Sequence, residues 1–147
     1  MYSKEEALQI KKNFWIQFAE AHPRKWLLYN TKIKDFSFKF YIDNKKAEVS
    51  LDIEPKDLEK RKIYFEKIIS LQSILIEDFI PEIQIDDQYR LENGKQIVRF
   101  WVEQQGVSVN NPKTWPAVFD FFYEKMDAFE RFFYEYEDYI RDLEINT

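Results

Sequence analysis

FSFKFYIDNKKAEVSLDI, residues 36–53, alternates apolar and polar residues through two runs that mirror each other about Asn44-Lys45. Successive side chains of a strand leave opposite faces, so Phe36, Phe38, Phe40 and Ile42 point one way and Ser37, Lys39 and Tyr41 the other. Ala47, Val49, Leu51 and Ile53 resume the alternation. With Asn44-Lys45 as a two-residue turn, in which Asn tolerates a positive φ, 36 meets 53, 38 meets 51, 40 meets 49 and 42 meets 47. Every apolar residue then opposes an apolar one. The stretch reads as an antiparallel hairpin with one apolar face, and that face needs helices to cover it.

Helices flank the hairpin. Upstream, Ser3 and Glu6 have capping-box spacing, Ala7, Ile10, Phe14, Phe18 and Ala21 recur at helical intervals, and His22-Pro23 ends the pattern, which places a helix over 4–21. Downstream, Pro55 suits a first helical turn, and a stripe from Leu58 through Phe65, Ile68, Ile69, Leu75 and Ile76 runs to Phe79. Asn93-Gly94 signals a second hairpin, with EIQIDDQYRLE before it and KQIVRFWVE after it. Val98, Phe100 and Val102 line one face of its second strand, Ile97, Arg99 and Trp101 the other, and Asp86-Asp87 suggests a bulge or a break in the first strand. Thr114 is placed to cap a last helix reaching Glu144. Within it Trp115, Phe119, Phe122, Met126, Phe129, Phe133, Tyr136, Ile140 and Leu143 follow spacings of four and three, a heptad seam. The expected fold is α+β: one domain over 1–147, order α-β-β-α-β-β-α, with an antiparallel sheet of about four strands, helices on one face and a long aromatic C-terminal helix.

Composition removes whole classes of chemistry. There is no cysteine, so disulfides, thiolate nucleophiles and iron–sulfur clusters are out, and a single histidine, His22, leaves no H-E-x-x-H zinc site. Gly94 and Gly106 are the only glycines, too few for a phosphate-cradling loop or a dinucleotide fingerprint. No run approaches the roughly 20 apolar residues of a membrane span, and MYSKEEALQIKK has no signal-peptide core, so the expected location is the cytoplasm. No cofactor is expected. Residues 1–67 carry 15 Lys/Arg against 11 Asp/Glu, a net of +4, and residues 68–147 carry 7 against 16, a net of −9. Arg24, Lys25, Lys32, Lys34, Lys39, Lys45 and Lys46 form a basic run suited to a phosphate backbone, although the acidic remainder of the chain opposes such binding.

One stretch invites a catalytic reading. In DIEPK, residues 52–56, Asp52 and Glu54 share a strand face and Lys56 follows at the E-x-K spacing of metal-dependent nucleases, in which two carboxylates hold Mg²⁺ and a lysine helps the attacking water. Asp43 is a further ligand candidate. Against this, Pro55 turns the chain before Lys56, and a solvated sheet face followed by a helix start explains the same residues.

The opening helix with Phe14-Trp15, the block FSFKFYIDNKKAEVSLDIEP and the run NPKTWPAVFDFFYEKMDAFERFF at 111–133 together resemble an uncharacterised bacterial family known as a domain of unknown function. The resemblance implies a domain also found as the C-terminal part of longer proteins whose N-terminal part is similar to a restriction nuclease. It therefore implies a DNA-processing or defence setting, with any cutting residues in the other part. Three functions fit these features. The first is a non-enzymatic module that self-associates, as a homo-oligomer, or binds a protein partner through Phe121, Phe132, Tyr134 and Tyr139 of the last helix. The second is a divergent PD-(D/E)xK-like nuclease using Asp52, Glu54 and Lys56; the third is salt-sensitive nucleic-acid binding by the Arg24–Lys46 run. Trp26, Tyr41 and Trp101 are expected away from the main core, as contact residues.

Overall fold

The computed structural model describes residues 2–143. Ser3 and Glu6 cap helix α1, Lys4–Ala21, reciprocally, as the capping box predicts. Strands β1 (Phe36–Ile42) and β2 (Lys46–Ile53) pair in the anticipated register, with Phe36 opposite Ile53 and Ile42 opposite Ala47. Helix α2 (Leu58–Ser70) follows, then the short α3 (Gln72–Ile74) and a wide π-helical turn, Leu75–Phe79. Strands β3 (Gln84–Arg90) and β4 (Gln96–Gln105) form the second hairpin, and α4 (Trp115–Arg141) closes the chain. The fold is α+β, with one antiparallel sheet in the order β1-β2-β4-β3.

The hydrophobic effect explains the layering. Phe36 and Phe38 of β1, Val49, Leu51 and Ile53 of β2, and Val98, Phe100 and Val102 of β4 all lie on one sheet face and are buried. Each such side chain contributes roughly 1.5–3 kcal/mol when removed from water. Aromatic rings knit the helices to that face: Phe129 and Phe133 of α4 meet Phe38, Phe65 of α2 meets Phe100, and Phe18 of α1 meets Phe40. The α4 seam is thus filled by this chain's own sheet and helices. Phe121 and Phe132, expected on a docking surface, are buried in the same core, Phe132 against Phe79 of the π-helical turn and Phe121 beside Phe122.

Local details correct four expectations. The first turn does not use a left-handed Asn44; the only non-glycine residues with positive φ among those described are Leu28, Lys32 and Asp35. Instead the Asp43 carboxylate accepts the N–H groups of Lys45 and Lys46, both at 2.8 Å, while the Asp43 carbonyl accepts Val109 N–H at 2.9 Å. The second helix starts not at Pro55 but after Asp57, whose side chain accepts from Glu59 and Lys60, and it breaks after Ser70 rather than running unbroken to Phe79. Thr114 does not cap α4, because its hydroxyl is spent on the Ser108 backbone. Finally α4 ends at Arg141, with Glu144 outside the described residues, and bends at Tyr136, whose φ of −112° and ψ of 16° are not helical.

The remaining turns behave as their sequences predict. Gly94 takes a φ of +87° in the β3–β4 turn, closing a loop in which its N–H reaches the Leu91 carbonyl. The pairing of β3 with β4 slips by one residue between Asp86 and Tyr89, the bulge marked by the paired aspartates.

Candidate functional site

The second face of the sheet carries the charges. Asp52 on central strand β2 faces Arg99 on β4, and the guanidinium grips both carboxylate oxygens at 2.8 Å. From β1, Lys39 stands 3.3 Å from Asp52 and 2.9 Å from Glu54, and Lys95 reaches Glu54 at 3.3 Å. Arg99 also stacks 4.3 Å over the Tyr89 ring, and Glu48 pairs with Lys46 at 3.0 Å. Burial pulls the Lys39 ammonium down, but Glu54 and Asp52 outweigh it, so Lys39 is held above its ordinary pKa. The concavity over this face measures about 680 Å³.

The face expected to be solvated is therefore not. Asp52 is wholly buried, and Glu48 and Ser50 are 5% and 4% exposed, because the long side chains of Lys39, Arg99 and Tyr89 lie across them. Asp52 and Glu54 do converge, but on Lys39 rather than Lys56. Pro55 sends Lys56 into another cavity, and Asp43 is committed to its turn. Any cation approaching Asp52 and Glu54 must displace ammonium and guanidinium groups already bound. Among the described residues no group of three or more metal-ligating side chains is assembled.

A different surface is open and apolar. Trp15 and Phe18 of α1, Trp26 and Tyr29 of the following segment, and Phe40 of β1 surround a cleft of about 440 Å³. Arg24 builds one wall: its guanidinium binds Asp127 at 2.7 Å and Glu130 at 2.8 Å on α4 and lies 4.2 Å over the Trp26 ring. Glu130 also accepts Leu27 N–H at 2.7 Å, which clamps the segment to the helix. Burial opposes ionisation of Asp127, but Arg24 and Arg131 outweigh it and lower its pKa.

The cleft lies beside an edge strand. In the β1–β2 ladder the Asp43–Lys46 pair is hydrogen-bonded, so by antiparallel alternation residues 41, 39 and 37 bond to β2 while 42, 40, 38 and 36 turn their backbone groups outward. Leu28 accepts Phe38 N–H at 3.0 Å and Thr31 Oγ1 donates to the Phe36 carbonyl at 2.6 Å. That cover stops short of Phe40, whose outward backbone groups meet no backbone partner among the described residues.

A family model described as domain of unknown function DUF4268 matches residues 10–137. The chain belongs to this family. No match was found among curated proteins or among solved structures. The DUF4268 match begins within α1 and ends within α4, and so takes in both hairpins, the charged face and the aromatic cleft.

The other sequence candidates scatter over this DUF4268 fold. Phe121 is 9% exposed and Phe132 1%, so neither offers a surface. Tyr139 is half-buried, its hydroxyl 2.7 Å from Ser70 Oγ and its ring under Lys67; Tyr134 alone of the four is exposed. His22 stacks on Tyr123, and Trp26, expected away from the core, packs against it. Tyr41 is exposed, and burial and its bond to Asp43 push its hydroxyl up to about 12. Trp101 is half-buried against Tyr89 and donates to Glu103. The basic run is not one face: Arg24 lines the aromatic cleft, Lys46 the charged face, and Lys32 and Lys34 a third cavity.

Arg99, Lys95 and Tyr89 escaped the sequence reading. The signal for them needed the register between β2 and β4, and no turn or alternation specifies which strand of the second hairpin meets the first.

Proposed function

We propose that this domain is a non-enzymatic interaction module that takes an extended, acidic segment of a protein partner onto the free edge of β1. The observation that carries the reading is the outward backbone of Phe40, unpaired among the described residues, beside a cleft walled by Trp15, Trp26 and Tyr29. An added strand gains affinity from main-chain hydrogen bonds, and a pocket that receives an alternate side chain supplies selectivity. Charge sets the segment's chemistry. Lys39 is already paired with Asp52 and Glu54, so the available charge is that of Lys25, next to Trp26 of the cleft, and Lys45, in the β1–β2 turn, both exposed and without ion pairs among the described residues.

The charged face supports a structural role better than catalysis, since each of its central carboxylates is already compensated. The resemblance to C-terminal parts of restriction-nuclease-like proteins supports a recognition role beside a separate catalytic unit. Selection of displayed random dodecapeptides on the folded protein tests the proposal. Enriched peptides combine an aromatic or aliphatic residue with neighbouring Asp or Glu, and they lose about tenfold or more in affinity for Trp15→Ala or Tyr29→Ala. Tyr29 is 77% exposed, whereas Trp15 is 38% exposed and stacks on Phe122, so thermal melts of both variants separate lost binding from lost fold. No enrichment, or binding indifferent to both substitutions, contradicts it.

A further inference from the structure

A third cavity, of about 560 Å³, opens where the segment before β1 meets the start of α2 and the end of α4. Five cationic residues line it, Lys32, Lys34, Lys56, Lys60 and Arg141, against two carboxylates, Asp35 and Asp57. Asp57 is committed to capping α2, and the four lysines have no ion pair among the described residues. Arg141 binds Glu137 and the Thr31 carbonyl, which ties the end of α4 to this wall. The wall is held in shape: Lys32 and Asp35 adopt φ of 62° and 59°, Thr31 Oγ1 bonds the Phe36 carbonyl, and the Asp35 carbonyl accepts Glu54 N–H at 2.7 Å. Such backbone persists only where its surroundings over-determine it.

A second feature points into the same space. Tyr64 of α2 lines the cavity and is only 7% exposed, with its ring fixed against Phe36 at 5.6 Å. Its hydroxyl makes no hydrogen bond among the described residues. Burial raises its pKa, opposed by the Arg141 charge, so the hydroxyl keeps its proton and is a donor lacking an acceptor. The hydroxyl is not sealed from the cavity, so it is placed to donate to an acceptor oxygen that enters from outside.

We infer that the cavity is an anion site for a diphosphate-bearing small molecule, with the Tyr64 hydroxyl donating to one phosphoryl oxygen and the surrounding lysines and Arg141 neutralising the rest. A lone carboxylate does not match four lysines without ion pairs lining one cavity beside Arg141. A diphosphate supplies several oxygens and charges across such a span, and the volume also admits a substituent. This site is distinct from the aromatic cleft and owes nothing to the strand-docking reading.

Calorimetric titration of the whole chain with inorganic pyrophosphate and with a nucleoside diphosphate, at low and at about 0.15 M salt, tests the inference. We expect saturable one-to-one binding that weakens with salt, and a loss of roughly ten- to a hundredfold in Tyr64→Phe, the range for a hydrogen bond to a charged group. Lys34→Ala with Lys56→Ala weakens it similarly, whereas Lys4→Ala, outside the cavity, leaves it unchanged. Tighter binding of the nucleotide assigns the ligand a nucleoside, and equal binding assigns the diphosphate alone. Absent binding of both probes at millimolar concentration overturns the site, as does affinity unaltered by Tyr64→Phe and the lysine pair. Thermal melts of each variant distinguish a lost ligand from a lost fold.

Discussion

Single residues anchor this structure through charges that the chain buries rather than exposes. Asp52 is wholly inside and Arg99 grips both its oxygens at 2.8 Å, so Arg99→Met leaves it only Lys39 at 3.3 Å and costs about 3–5 kcal/mol in urea unfolding. Adding Asp52→Leu recovers most of that loss, because an apolar pair of similar volume is close to neutral. Asp43 is a second anchor: burial favours its protonation, but the N–H groups of Lys45 and Lys46 and the Tyr41 hydroxyl outweigh it and lower its pKa below the usual 3.8. A depressed carboxylate contributes stability that is present above its unfolded pKa and lost as pH falls through the folded one. Asp43→Ala therefore lowers stability at neutral pH by about 1.5–3 kcal/mol, and the deficit against wild type narrows below about pH 4 in pH-dependent urea melts. The sequence displayed Asp43 and Asp52 as possible metal ligands by type and spacing. It did not display their partners, since Arg99 comes from 47 residues away and Lys45 and Lys46 act through backbone N–H groups that any residue carries.

At the scale of elements, periodicity was readable and destination was not. The alternation at 36–53 specified its hairpin because one slip would turn every apolar side chain to the wrong face. The seam of α4 was equally clear, yet whether Phe121 and Phe132 faced this sheet or a partner depended on how far α1 and the π-helical turn wrap around the helix. Phe79 of that turn meets Phe132, and Phe121 sits 6.2 Å from Phe122 in the core. Phe132→Ala accordingly costs about 3–5 kcal/mol, while Tyr134→Ala, on the exposed flank, changes stability by no more than about 0.5 kcal/mol. Lys67 shows how α4 is tethered at its far end: it is 2% exposed, and its ammonium donates to the Tyr139 carbonyl at 2.8 Å, satisfying an acceptor of the last turn. No stripe reveals a buried lysine, because its meaning depends on a carbonyl 72 residues away.

For the whole molecule, the division of labour is between a charged sheet face that is internally compensated and an edge that is left open. Titration with Mn²⁺ should broaden amide signals diffusely over acidic surface, without selectivity for residues 48–56, because Arg99, Lys39 and Lys95 already occupy Asp52 and Glu54. Selective broadening there that Glu54→Ala removes would restore the nuclease reading. The docking account rests on β1, and the amide hydrogen exchange of Phe40 measures it most directly. Phe40 is expected to exchange fast in the free protein while Phe38, bonded to Leu28, is slow, and a selected acidic peptide is expected to protect Phe40 by at least tenfold. Protection of Phe40 in the free protein at all concentrations, or none when the peptide is bound, would contradict it.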